Sequence, residues 1–194
     1  MPCPSWSLPA QECKTGSKLR LIEGSSCSKC YALKGNYGFP NVKKARYTNF
    51  TNLPSDGKWE VWITAMVETI RLRKISHFRW FDSGDCQSLD HLQAIALVAE
   101  RTPWVQHWLP THEKAMVLQY LERNSDFPSN LTVRISAAMV DGRPTVSYKL
   151  TSTIHSKGGK VIGFRCLAPS QEGKCKDCRA CWSRDIPNVS YELH

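Results

Sequence analysis

The sequence lacks most of the short motifs that identify an enzyme at sight. It contains no Gly-x-Ser-x-Gly nucleophile motif, no P-loop and no glycine-rich dinucleotide motif, so the common hydrolase, nucleoside-triphosphatase and Rossmann-type sites are not predicted. No apolar run is long enough to span a bilayer, and Met1-Pro2-Cys3 does not begin a basic and apolar signal segment. We therefore expect a cytoplasmic protein with no membrane contact.

The charge balance shows an excess of basic residues. The 26 Lys and Arg residues outnumber the 17 Asp and Glu residues and leave a net charge of +9, which favours an anionic partner such as nucleic acid. The sequence has no helix-turn-helix pattern and no aromatic RNA-binding signature. We therefore interpret the basic residues as scattered over solvated faces rather than concentrated in one groove.

Cysteine is abundant and lies mainly near the two ends of the chain. The odd total of nine argues against a secreted disulfide framework, and thiols that stay reduced in a cytoplasm bind soft metals. The candidate ligands form an amino-terminal and a carboxyl-terminal set of four each: Cys3, Cys13, Cys27, Cys30 and Cys166, Cys175, Cys178, Cys181. Cys86 stands apart, and we predict a small buried apolar side chain there.

The spacing of the carboxyl-terminal set predicts a 4Fe-4S cluster. Residues 175–181 form a C-x2-C-x2-C run, whose short gaps let one loop reach several irons, and Cys166 can complete the ligand set from a distance. Zinc is the alternative, although four-cysteine zinc sites more often use two separated C-x2-C pairs, and disulfides are a third reading. The two sets could serve one cluster or two. Cys3 decides whether the amino-terminal set saturates a cluster or leaves one iron open.

Between the cysteine-rich ends, helical and strand patterns alternate, which predicts an α/β fold. We expect one domain over residues 1–194, with a partial or reduced TIM-barrel-like sheet and helices outside it. A core over 41–160 would lie between cysteine loops at 1–40 and 161–194. The individual patterns predict helices over 58–74, 89–99 and 113–123, and strands over 77–81, 104–109 and 131–140.

Two loops are expected at the functional edge of this sheet, because the carboxyl ends of parallel strands gather functional residues. One is Asp82-Ser83-Gly84-Asp85 and the other is Pro110-Thr111-His112. The first loop also suits a cap of the helix that follows, with Asp85 or Ser88 as the capping residue.

Five segments of the chain resemble the phage protein family called gene product eighty-eight. They are CSKCYALKGNY at 27–37, FRWFDSGD at 78–85, WLPT at 108–111, KCKDCRACW at 174–182 and NVSY at 188–191. The resemblance covers nearly the whole chain and implies a phage protein in the cytoplasm of an infected host cell. It implies no particular reaction.

A weaker similarity is to radical S-adenosylmethionine enzymes, which hold a 4Fe-4S cluster with three cysteines and bind the cofactor at the open iron. That similarity implies cluster ligation by Cys13, Cys27 and Cys30, and cofactor contact by Asp82 to Asp85, where an acidic pair would suit the methionyl ammonium group. The sequence departs from the usual C-x3-C-x2-C, because thirteen residues separate Cys13 from Cys27. The aromatic Tyr31 also follows the last cysteine instead of preceding it.

Three functional hypotheses follow. The first is a protein that carries one or two 4Fe-4S clusters for redox or structural use, with an unknown redox partner. The second is a radical S-adenosylmethionine-like enzyme that acts on an unknown substrate. The third is a zinc-stabilised basic protein that binds nucleic acid.

Overall fold

A computed structural model describes residues 3–55 and 57–193 of the chain. Within these residues the α-helices are α1 (Lys14–Leu19), α2 (Pro40–Thr51), α3 (Trp59–Leu72), α4 (Leu89–Glu100) and α5 (Lys114–Arg123). The strands are β1 (Ser5–Trp6), β2 (His77–Trp80), β3 (Gln106–Thr111), β4 (Leu131–Val140), β5 (Thr151–His155), β6 (Phe164–Arg165) and β7 (Asn188–Glu192). No helix in the described part is both long and apolar enough to cross a membrane.

The strands form a single seven-stranded parallel sheet in the order β1-β2-β3-β4-β5-β7-β6. Helix α4 connects β2 to β3, and α5 connects β3 to β4, as parallel neighbours require a crossover. The predicted α/β class is confirmed. β1 and β6 are the two outer strands in this pairing, so the described hydrogen bonds leave the sheet open.

The hydrophobic core lies between one face of the sheet and helices α3, α4 and α5. Strand β4 shows why, because its side chains alternate between the two faces. Leu131, Val133 and Ile135 belong to the core, whereas Arg134 points to the other face, where its guanidinium contacts carbonyls of the 180–183 segment. The face away from the helices, called the inner face below, is therefore free to carry polar groups.

Local sequence signals explain where α3 and α4 form. Ile63, Met66 and Ile70 recur at helical spacing and are the buried residues of α3. Helix α4 begins after Ser88, whose hydroxyl accepts a hydrogen bond from the His91 N–H (3.1 Å). Capping by Ser88 is thus confirmed, and Asp85 has a different role.

Several predicted boundaries differ from the structure. β3 begins at Gln106 rather than at Trp104, because the Val105 N–H donates to the Thr102 carbonyl (3.0 Å) and turns the chain there. Helix α2 carries no buried residue and no apolar stripe, so its pattern did not predict it. The two cysteine-rich ends are not only loops, since they contribute β1, β6 and β7 to the sheet.

Candidate functional site

The chain that follows β1 is held against the carboxyl edge of the sheet. The Leu8 N–H donates to the Ser83 carbonyl (3.1 Å), and the Ser83 hydroxyl donates to the Leu8 carbonyl (2.7 Å). Gly84 permits this close approach, because its φ is +78° and a β-carbon there would lie 2.5 Å from Leu8 Cβ. The loops after β1 and β2 are therefore packed together.

Three amino-terminal cysteines are neighbours at this edge. Cys13 immediately precedes α1, and the Cys30 N–H donates to the Cys27 carbonyl (3.2 Å), so the C-x2-C pair forms a tight turn. The sulfurs of Cys13 and Cys27 each lie 3.6 Å from the position that a β-carbon at Gly16 would occupy. Burial raises the pKa of the Cys13 thiol, and the Asp85 carboxylate and the other two thiols raise it further. Because Coulombic effects decline with distance, these groups lie close to Cys13. We call Cys13, Cys27 and Cys30 the thiol triad.

A side chain that follows β3 and a backbone carbonyl in β4 hold the segment that carries the thiol triad. The Glu113 carboxylate accepts hydrogen bonds from the N–H and the hydroxyl of Thr15, each at 2.8 Å. Ser26 donates its N–H (2.8 Å) and its hydroxyl (3.1 Å) to the Ala138 carbonyl in β4. The same hydroxyl lies 3.3 Å from His112 Nε2. Elements distant in sequence thus position the triad.

A cavity of about 630 Å³ adjoins the thiol triad. Its wall includes all three thiols, residues at the ends of β2 to β5, and Tyr191 of β7. On the inner face, the Arg79 guanidinium lies 4.6 Å from the centre of the Trp108 ring, and both residues line the cavity. The volume is in the range of sites for small organic ligands.

The four residues from Asp82 to Asp85 all line this cavity, as their position after β2 suggested. The Asp82 carboxylate is already engaged within the protein: it forms an ion pair with Arg46 (3.2 Å) and accepts a hydrogen bond from the Tyr37 hydroxyl (3.4 Å). The Tyr31 hydroxyl donates to the Asp82 carbonyl (2.6 Å). These bonds attach α2 and the loop after Cys30 to the sheet edge.

The Asp85 carboxylate connects the loop after β2 to the end of β3. It accepts hydrogen bonds from the Thr111 hydroxyl (2.6 Å), the His112 N–H (2.8 Å) and the Cys86 N–H (2.7 Å). Complete burial raises its pKa to about 7 although these three donors oppose the shift. Asp85 is thus a buried structural acceptor. Binding of a cofactor by Asp82 to Asp85 remains a prediction.

The carboxyl-terminal cysteines form a second group. The Cys178 N–H donates to the Cys175 carbonyl (2.9 Å), which repeats the turn of the amino-terminal C-x2-C pair. Burial raises the pKa of Cys166, and the thiols of Cys175 and Cys178 raise it further. Burial also raises the pKa of Cys181 to about 11, with Cys166 adding to the shift and a hydrogen bond with Tyr191 opposing it. These four thiols are therefore neighbours.

Cys3 lies with the carboxyl-terminal group rather than with the thiol triad. Burial raises its pKa to about 11, the Arg79 guanidinium opposes the shift, and the Cys175 thiol adds to it. Its place in the chain explains this, because Cys3 precedes β1 whereas Cys13 follows it. Of the amino-terminal set of four that the sequence suggested, Cys3 is thus separated from the other three.

Arg134 and Trp182 fix the end of the carboxyl-terminal cysteine segment on the inner face. The Arg134 guanidinium donates to the carbonyls of Ala180 (3.1 Å), Cys181 (3.1 Å) and Ser183 (2.6 Å). The Trp182 indole N–H donates to the Phe78 carbonyl in β2 (3.0 Å). Cys181 in turn lies 3.2 Å from the hydroxyl of Tyr191, which lines the cavity. The two cysteine groups therefore approach one cavity from different sides.

All nine cysteines, each within the described ranges, are free thiols. In the same ranges, no three side chains of His, Cys, Asp or Glu converge closely enough to hold a single metal ion. A 4Fe-4S cluster binds each thiolate to a different iron, so its ligands stand further apart than the ligands of one zinc ion.

Comparison with known proteins agrees with the sequence resemblance. The family model described as Gene product 88 matches residues 1–184. The chain belongs to this family. Neither the curated proteins nor the solved structures contain a significant match. The matched range includes the thiol triad and all four cysteines of the carboxyl-terminal group, so both belong to the family region of the chain.

Sequence reasoning located the cysteines and the cavity loops but missed the residues that position them. Glu113 and Arg134 are examples, because each bonds to a segment that is distant in sequence. Gly16 is another, because its lack of a side chain leaves room beside Cys13 and Cys27. One signal was present in the sequence, since Arg134 is the one charged residue in β4, which is mostly apolar. A buried arginine in a strand needs several acceptors, which indicates a polar inner face.

Proposed function

We propose that this protein is an iron-sulfur protein with two separate centres. The thiol triad would hold one 4Fe-4S cluster, and Cys166, Cys175, Cys178 and Cys181 would hold the other. The observation that carries the proposal is that the cysteines sort into two groups of neighbours beside one cavity: three of them line it, and Cys181 of the other group contacts Tyr191 in its wall. Reduced thiols of this kind are expected in a cytoplasm, where they remain available to soft metals.

The proposed fold for this function is a partial TIM-barrel-like sheet that curves around the cavity. Its support is the sequential strand order from β1 to β5 and the packing of Trp182 against the side chains of His77 and Trp108, with ring centres 5.5 Å and 5.2 Å away. A sheet that curves around such contacts leaves its carboxyl edge open to ligands.

The test is the iron and acid-labile sulfide content of protein purified without oxygen. We expect Cys13→Ser and Cys178→Ser each to lose about half the iron, because each breaks one of two independent sites. Cys86→Ser is the control, since Cys86 is 1% exposed and belongs to neither group. Loss of all iron in both variants would instead indicate one shared centre. Colourless protein that contains zinc would replace the proposal with the zinc hypothesis.

A second candidate is a radical S-adenosylmethionine-like enzyme, and the position of Cys3 favours it. With Cys3 in the other group, the triad supplies three thiolates for four irons, which would leave one iron for an external ligand at the cavity. Such a cluster supplies the electron that cleaves S-adenosylmethionine. We expect the cofactor to change the paramagnetic spectrum of the reduced protein and to yield deoxyadenosine, and Cys13→Ser to abolish both. An unchanged spectrum and no deoxyadenosine would exclude the enzyme hypothesis and leave a redox or structural role for the clusters.

A further inference from the structure

The net positive charge of the chain is concentrated in one segment. Residues 14–47 contain eight Lys and Arg residues and one acidic residue, Glu23, and so carry +7 of the net +9. The remainder has 18 basic and 16 acidic residues, which nearly cancel. The basic residues themselves are spread along the chain, as expected, and the local excess arises because this segment has few acidic residues.

The structure attaches this segment to the sheet edge beside the cavity, and Lys29 and Tyr31 line the cavity itself. Helix α1 is held there by Glu113, the turn at Cys27 by the Ala138 carbonyl, and α2 by the ion pair of Arg46 with Asp82. Six lysines of the segment are exposed, and none forms an ion pair within the described part of the chain: Lys14, Lys18, Lys29, Lys34, Lys43 and Lys44. We call these six lysines the basic rim.

Exposed aromatic rings lie among the lysines. Tyr31 is 51% exposed, Phe39 is 55% exposed and Tyr47 is 37% exposed, and they alternate along the chain with the basic residues. Helix α2, which carries Tyr47, has no buried residue. Its exposed side chains therefore contribute little to the core, and they are available to a partner.

We propose that the basic rim and its three aromatic rings bind single-stranded nucleic acid across the mouth of the cavity. Lysine ammonium groups attract the phosphates, and exposed aromatic rings offer surfaces on which unpaired bases stack. An acidic protein or an anionic membrane would use the same lysines but has no bases to stack. A duplex keeps its bases stacked on one another, so the rings gain little from it. The rings thus decide in favour of a single strand.

The test measures the affinity of the full-length, anaerobically purified protein for fluorescently labelled oligonucleotides of about 16 nucleotides, with fluorescence anisotropy as the signal. DNA and RNA single strands and a DNA duplex are compared at several salt concentrations. We expect binding to the single strands that weakens as salt rises, with weaker binding to the duplex. Equal or tighter binding to the duplex, to polyglutamate or to vesicles rich in anionic lipid would overturn the proposal.

Two double variants with the same charge change provide the decisive comparison. Lys43→Glu with Lys44→Glu alters the basic rim, whereas Lys157→Glu with Lys160→Glu alters two exposed lysines outside the segment. We expect the first to weaken binding about tenfold or more and the second to leave it nearly unchanged. Equal losses in both would show a general charge effect and sink the proposal.

The rings have their own test. Phe39→Ala with Tyr47→Ala should weaken single-strand binding about tenfold while the slope of affinity against salt stays the same, because no phosphate contact is lost. An unchanged affinity would refute the role of stacking. Circular dichroism and iron content of each variant establish that the fold and the metal content are retained, and loss of binding counts only with both intact.

Discussion

A substitution at Gly16 tests the thiol triad without removing a thiol. A β-carbon at this position would lie 3.0 Å from Cys13 Cβ and 3.6 Å from the sulfurs of Cys13 and Cys27. The 3.0 Å contact is tighter than most contacts of a β-carbon, and 3.6 Å is already ordinary van der Waals contact, so a larger side chain crowds Cys13 and Cys27. Gly16→Val therefore crowds two cysteines of the proposed cluster site, while all the proposed ligands remain in the chain.

The expected effect on the backbone is small and of opposite sign. Gly16 lies in α1, where a glycine disfavours the helix by about 1 kcal/mol relative to alanine and valine by about half as much, so Gly16→Val favours helix formation by a few tenths of a kcal/mol. A defect in this variant would thus report the crowding of Cys13 and Cys27 by the new side chain. We expect about half of the iron to be lost, because only the amino-terminal centre is blocked.

The assay is iron per chain after anaerobic purification, together with the urea midpoint of unfolding. Gly38→Val is the matched control, since a β-carbon at Gly38 meets nothing within 4 Å and its φ is not in the left-handed region. The control should keep all of its iron. Full iron content in Gly16→Val would refute a cluster between these sulfurs, and complete loss would refute two independent centres.

Three further predictions concern stability, each measured by urea unfolding. Gly84→Ala should lose about 2 kcal/mol or more, because φ is +78° and the new β-carbon would overlap Leu8; an unchanged midpoint would contradict this contact. Arg134→Met should lose about 2–4 kcal/mol by leaving carbonyls of the 180–183 segment unpaired, and should also lower the iron content; a loss below 1 kcal/mol, on the scale of about one ordinary hydrogen bond, would contradict it. Burial lowers the pKa of His91 to about 3, below the unfolded value near 6.5, so its contribution is complete above pH 6.5 and declines by about 1.4 kcal/mol per unit as pH falls toward 3. His91→Phe, which keeps the stacking on Trp59, should remove that part of the pH dependence, and identical pH profiles would exclude it.

Periodic patterns predicted the elements that bury an apolar face, and only those. Helix α3 and strand β4 follow directly from the spacing of their apolar residues. Helix α2 could not be found in this way, because it has no buried residue. Polar contacts hold it at the sheet edge instead: Arg46 pairs with Asp82, and the Asn49 amide donates to the Ser7 carbonyl. Strands β1 and β6 have two residues each, too few for any periodicity.

The candidate site was partly predictable for a topological reason. Asp82 to Asp85 and His112 were expected at one edge, because the carboxyl ends of parallel strands meet there, and they do line the same cavity. Their bonding was not predictable. The carboxylates of Asp82 and Asp85 find their partners in α2 and β3, which are distant in sequence.

The sequence by itself determined the chemistry that is available: nine cysteines, five of them in C-x2-C spacing, an alternation of helices and strands, and a segment of net positive charge at 14–47. Only the tertiary structure decided which thiols are neighbours. Cys3 and Cys13 are ten positions apart, yet β1 runs between them and carries the chain from one edge of the sheet toward the other. Sequence spacing measures distance along the chain, whereas binding of a cluster or a ligand depends on distance through space. For Cys3 and Cys13, the pairing of β1 with β2 sets that distance through space.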